Sequence, residues 1–194
     1  MYKYNQAYNE VAPIGHILKH KYPSEYLRIH NFKDKQYPID KEDNMYILEL
    51  YEKLFNTIVS KNTLVGYLST YDLNLDELNN EWINDLKLTY YVEYDIHEAD
   101  EDPSYVSVYK FVFEQLSFEK MIIDIANEEF DGSIIFFDIN SNNIIAPYAG
   151  GTDIFIKNKK ILNNFKLKDY LKWFIKKYIL QEIDLQVAID RSCT

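Results

Sequence analysis

Apolar residues recur along this chain with a period near 3.6 in some stretches and 2 in others, and the changes of period divide it into elements. Ile47, Leu48, Tyr51, Leu54, Phe55 and Ile58 fall on one helical face. They predict a helix ending near Ser60, with Asp43 or Asn44 placed to accept from its free first-turn amides. Thr63 to Ser69 (TLVGYLS) is a short continuous apolar run and reads as a buried strand. Leu78, Trp82 and Leu86 share one side of a short helix expected over Leu75 to Leu86. Leu88 to Ile96 and Tyr105 to Phe113 alternate apolar with polar residues. The intervening HEADEDPS holds four acids and a proline, so the pair predicts a hairpin with a charged tip. Ser117 opens a helix to about Glu129, packed by Met121, Ile122, Ile125 and Ala126. Ile134 to Asp138 and Ile144 to Tyr148 form a second hairpin around Asn140-Ser141-Asn142-Asn143, since Asn tolerates the left-handed backbone of tight turns. Gly150-Gly151 precede a last strand, Asp153 to Lys157. The most regular helical stripe is C-terminal: Leu167, Leu171, Phe174, Ile175, Tyr178 and Ile179, with Lys168, Lys172, Lys176 and Lys177 largely outside it.

At the other end, Tyr26 to Phe32 reads as a strand after Pro23. Residues 1–22 suggest a helix interrupted near Pro13 and Gly15, forming a peripheral N-terminal segment. Hairpins beside helices indicate an α+β fold: a single domain over 1–194, with a mainly antiparallel sheet, two hairpins and flanking helices. Residues 167–190 would close it as an amphipathic helix and tail. The length of 194 residues suits one domain, and 47% hydrophobic residues argue against disorder.

Charge adds a partner type. From Asp72 to Asp131 there are 17 acidic residues against 3 lysines, a net of −14 within a chain whose total is −10. From Lys157 to Lys177, 8 lysines face one acid, a net of +7. An acidic middle repels nucleic acid and attracts a basic protein, although a solvated face kept for solubility explains it equally simply. The 18 Tyr and 11 Phe follow from AT-rich codons or from a tyrosine-rich binding surface. The single cysteine, Cys193, permits no internal disulfide. No apolar run has the length of a membrane span, so a cytoplasmic location and no membrane partner are expected.

Candidate chemistry is sparse. His16 and His20 have the spacing of two metal ligands on a helix, but no third ligand completes the set. His30 and His97 stand apart from any G-x-S-x-G elbow. Asp85-Leu86-Lys87 has the acid-x-Lys spacing of a metal-dependent nuclease, set within an acidic segment that disfavours a polyanion. Gly150-Gly151-Thr152-Asp153 offers either an anion-binding backbone nest or a sharp turn that sets the register of the last strand. No catalytic set, metal site or cofactor site is expected. The lysines of the last helix read as a solvated face.

Five stretches together have a familiar order: MYILELYEKLFNTI (Met45–Ile58), TLVGYL (Thr63–Leu68), FEKMIIDIANEEF (Phe118–Phe130), SIIFFDINSNNIIAPYAGGTDIFIKN (Ser133–Asn158) and YLKWFI (Tyr170–Ile175). In this order the chain resembles a family of small bacterial proteins known as domain of unknown function 3885. The resemblance implies a Tyr-centred corner ending in Gly-x-Asp, represented here by Tyr148, Thr152 and Asp153. The family corner carries two acids and an arginine after the tyrosine, whereas Ala149-Gly150-Gly151-Thr152 stands there in this chain. Relatives found beside polymorphic or contact-dependent toxins imply an immunity role: binding and neutralising a basic toxin domain. The expected contact surface is the acidic tip Glu98, Asp100, Glu101 and Asp102, with Tyr105 beside it. A scaffold module unrelated to toxins, or an enzyme assembled from His30, His97 and Asp153, are the alternatives.

Overall fold

The apolar run at TLVGYLS becomes the middle of a sheet. A computed structural model describes residues 2–32, 34–71, 75–96, 104–113 and 118–164. The described residues fall into two units, one ending at Lys157 and one beginning at Asn158. The first holds helices α1 (Tyr2–Tyr8), α2 (Gly15–Lys21), α3 (Lys41–Ile58), α4 (Glu81–Asp85) and α5 (Phe118–Ala126). Its strands are β1 (Tyr26–His30), β2 (Leu64–Tyr71), β3 (Thr89–Ile96), β4 (Ser104–Val112), β5 (Ser133–Asp138), β6 (Ile144–Tyr148) and β7 (Gly151–Phe155). The second unit contributes the short α6 (Lys159–Asn164). The predicted C-terminal helix, the tip residues Glu98, Asp100, Glu101 and Asp102, His97 and Ser117 lie outside the described residues.

The strands form one antiparallel sheet in the order β1-β7-β6-β5-β2-β4-β3. The fold is therefore α+β, and helices flank the sheet. β2 lies between β4 and β5 in the part of the sheet covered on both faces, which explains why it is buried almost throughout instead of alternating. On one face Tyr67, Val106, Val108, Ile135, Phe137, Ile144, Ala146 and Phe155 pack with Tyr4, Tyr8, Ile14 and Leu18. On the other, Phe55 of α3 stands edge-on to Phe118 of α5 and to Phe136 of β5. The N-terminal segment, expected at the periphery, thus supplies one covering layer. YKYNQAY is polar by composition, but Tyr4 and Tyr8 bury their rings and bond through their hydroxyls to Val11 O and Asn142 O.

Three helices differ in extent from the sequence reading, α5 by ending at Ala126 instead of near Glu129. α3 is capped by Asp40, whose carboxylate accepts from Asp43 N, while Asp43 accepts in turn from Ile39 N and pairs with Lys35. The buried stripe of α3 also includes Tyr46 and Leu50, whereas Leu48 is half-buried. The expected helix over Leu75 to Leu86 is two pieces, a 3-10 turn at Leu75–Glu77 and α4. Asn80 starts α4 and donates its amide to Asp124 and to Glu129 O, while Trp82 gives its indole N–H to the same carboxylate. These bonds tie α4 to α5.

The β5–β6 tip is fastened by Asp138. Its two oxygens accept from Thr63 Oγ1 (2.6 Å), Ser141 Oγ (2.8 Å), Asn140 N (2.9 Å) and Ser60 N (3.1 Å). Asn142 takes the left-handed conformation (φ 58°) that the turn needs. Asn143 donates to Ile58 O and accepts from Lys157 N. The hairpin is thereby bolted to the end of α3. Burial pushes the Asp138 pKa up, but the bonds from Thr63, Asn140, Ser141 and Ser60 outweigh it and hold the carboxyl below the usual carboxylate range. A lowered folded-state pKa adds stability above the unfolded value of about 3.9. That stability is lost as pH falls through the folded value. Melting curves should place Asp138→Asn below wild type by about 1–3 kcal/mol at neutral pH, with the gap closing on acidification below about pH 4.

Candidate interaction surface

The glycine corner proves to be a third hairpin. Tyr148 of β6 pairs with Gly151 of β7, leaving Ala149 and Gly150 as the link. Asn31 reaches across from the end of β1, bonding through its backbone N to Gly150 O and through its side chain to Ala149 O. Tyr51 of α3 donates to Gly151 O at 2.7 Å.

Asp153 is only 3% exposed and lies opposite Arg28 in the β1–β7 ladder. It accepts from Arg28 Nε at 2.7 Å, Arg28 Nη2 at 2.9 Å and Tyr26 Oη at 2.9 Å. The guanidinium carbon of Arg28 stands 4.6 Å from the centre of the Tyr148 ring. Burial, reinforced by the neighbouring Asp153 carboxylate, pushes the Tyr26 hydroxyl pKa up and keeps it a donor. Tyr148 and Asp153 therefore meet through Arg28. Thr152 is fully buried and, by strand alternation, faces the opposite side. The corner is a closed ion pair under an aromatic ring. The arginine of this corner comes from β1, within YLRIH, a position that sequence spacing did not connect to Asp153.

The remaining candidates are scattered. His30 is exposed on β1 opposite Gly151, and the Asp153 carboxylate is committed to Arg28 and Tyr26. His16 stacks on Tyr71. Asp85 ends α4, so it is not presented by a paired strand. Among the described residues no group of three His, Cys, Asp or Glu side chains is placed to hold a metal.

β3 and β4 present a different surface. Among the described residues β3 is the last strand of the sheet, with β4 its neighbour. One face of the pair packs beneath α1: Tyr91 donates to Asn5 Oδ1 and its ring meets Tyr67, and burial pushes the Tyr94 hydroxyl up to about 12. A bulge between Tyr90 and Val92 turns Tyr91 to that face. The opposite face carries the exposed residues. There Tyr90 lies against Tyr109 with ring centres 5.8 Å apart, Glu93 faces Ser107 and Asp95 faces Tyr105. Tyr90 is 57% and Tyr105 53% exposed, and Glu93 and Asp95 are exposed beside them. Tyr105, named above for its place beside the acidic tip, lies on this face, and Glu93 and Asp95, which the alternation in YVEYDI sets on one side of a strand, lie on it too.

Fold and surface together define an α+β protein in which, among the described residues, one face of β3–β4 exposes tyrosines beside carboxylates. The chain matches the family described as Domain of unknown function (DUF3885) over residues 14–176, and it belongs to that family. No curated protein and no solved structure gives a significant match. No helix among the described residues is long and apolar enough to cross a membrane.

Proposed function

We propose that this is a non-enzymatic acidic binding protein, an immunity protein that captures and neutralises a basic toxin domain in the cytoplasm without a cofactor. The observation that carries the reading is the exposed face of β3–β4. Exposed aromatic rings beside carboxylates supply the two things such a partner needs: anchors for burial and a potential that steers a basic surface to them. The net of −14 over Asp72–Asp131, the stretch of chain that contains both strands, agrees with a partner of opposite charge. The corner offers no comparable opening, since Arg28 and Tyr26 already satisfy Asp153.

The direct test is association with the product of the gene next to this one, and protection of cells that express it. Where that product is a toxin, failure to bind and protect sinks the reading. The charge contribution has its own test. Replacing Glu98, Asp100, Glu101 and Asp102 together by lysine should slow association roughly tenfold or more at low salt and remove most of its salt dependence. An unchanged association rate in stopped flow would show that these acids do not steer the partner.

A further inference from the structure

Among the described residues β3 ends the sheet beside the exposed face of β3–β4, and we propose that the partner is held there by strand addition: a basic, extended segment pairs along β3 and continues the sheet. This rests on β3–β4 being the partner surface and adds the mode of capture. Among the described residues β3 has β4 alone as a neighbour, so its outward N–H and C=O groups form a template for another chain. The template is preset. Tyr91 is fastened to Asn5 and Tyr67 from behind, which holds the strand extended before any partner arrives. The bulge between Tyr90 and Val92 confines the regular stretch to Val92–Ile96, and the added segment matches that length.

Charge selects the occupant. Glu93 and Asp95 are exposed at this edge. Two copies of β3 meeting edge to edge would bring like carboxylates together, which opposes self-pairing. A segment with lysine or arginine at alternate positions sets opposite charge beside Glu93, and Tyr90 offers a ring face to its cationic ends.

The test uses the isotope-labelled protein and a synthetic peptide of alternating lysine and threonine, read by amide exchange and chemical shift. The expected result is saturable protection of the Val92–Ile96 amides. A glutamate–threonine peptide should give none. Glu93→Lys/Asp95→Lys should weaken the lysine peptide by roughly tenfold or more and favour the glutamate peptide, with an unchanged melting temperature as the folding control. Three results overturn strand addition: no saturable response, a response independent of peptide charge, or shifts at Tyr90, Tyr105 and Tyr109 with the β3 amides exchanging as before. The last is the signature of a helix laid across the face. If the neighbouring gene product binds and leaves the β3 amides unprotected, strand addition fails and the immunity reading stands. If that product does not bind while the lysine peptide protects β3, the immunity reading fails and the strand-adding edge stands.

Discussion

Gly151→Ala is expected to lower stability by about 4 kcal/mol, which for a chain of this length is a fall of roughly 10 °C in Tm. A Cβ built at Gly151 lies 2.1 Å from Ile29 O and 2.9 Å from His30 Cα. Both are backbone atoms of the adjoining strand, so no rotamer change relieves the overlap. β1 would have to move off β7, and with it would go the ladder from Tyr26–Phe155 to His30–Gly151, the Asn31 bond to Gly150 O and the approach of Arg28 to Asp153. Gly150→Ala is the control. Its Cβ meets Tyr148 Cε2 at 3.1 Å, a side chain that can swing away, and the expected cost is below about 1 kcal/mol. Thermal or urea unfolding of the two variants separates the cases. Equal, small losses would mean that β1 is not clamped against the corner, and the account of the corner as a fixed backbone junction would be wrong.

The same corner marks how far the sequence could be read. Strand pairs joined by short links were legible, because alternation and turn residues act over neighbouring positions: β3–β4, β5–β6 and the start of β2 fall where the pattern puts them. The order of the strands was not. β1 pairs with β7 although Arg28 and Asp153 stand 125 positions apart, and no local period carries that information. Helix starts failed for a local reason: three acids and an asparagine cluster at Asp40–Asn44, and the side chain that caps is the one whose backbone is extended, here Asp40. The N-terminal helices were placed outside because tyrosine counts ambiguously. Its ring buries like phenylalanine when the hydroxyl finds a carbonyl, as at Tyr4 and Tyr8. At the candidate surface, charge density led to the HEADEDPS tip, whereas the described acids with a defined face are Glu93 and Asp95, set two apart on a strand. Clustering in sequence measures local charge. A face also requires strand alternation and an uncovered side, and the latter depends on where the helices pack.

Arg28→Leu provides the second large effect and decides what the corner is for. The Asp153 carboxylate is 3% exposed and would keep only the Tyr26 hydroxyl as a charge-directed partner. Removing one member of a buried ion pair typically costs about 3–5 kcal/mol. Here the Arg28 side chain retains 34% of its exposure, so part of its charge was never desolvated. Tyr26 also still donates, and the expected loss is nearer 2–3 kcal/mol. Arg28→Leu/Asp153→Asn should recover at least about 1 kcal/mol of that loss, because a neutral amide no longer leaves a charge stranded while its oxygen can still accept from Tyr26. Set against the Asp153→Asn single variant, the recovery gives the coupling between the two side chains, and the packing lost with the arginine stem over Tyr148 cancels. Partner association should stay unchanged in the double variant, since β3 lies at the far edge of the sheet from β1. If Arg28→Leu instead melts with wild type and weakens partner binding, the ion pair is not a structural bolt. The interaction surface would then have to be moved from β3–β4 to the corner.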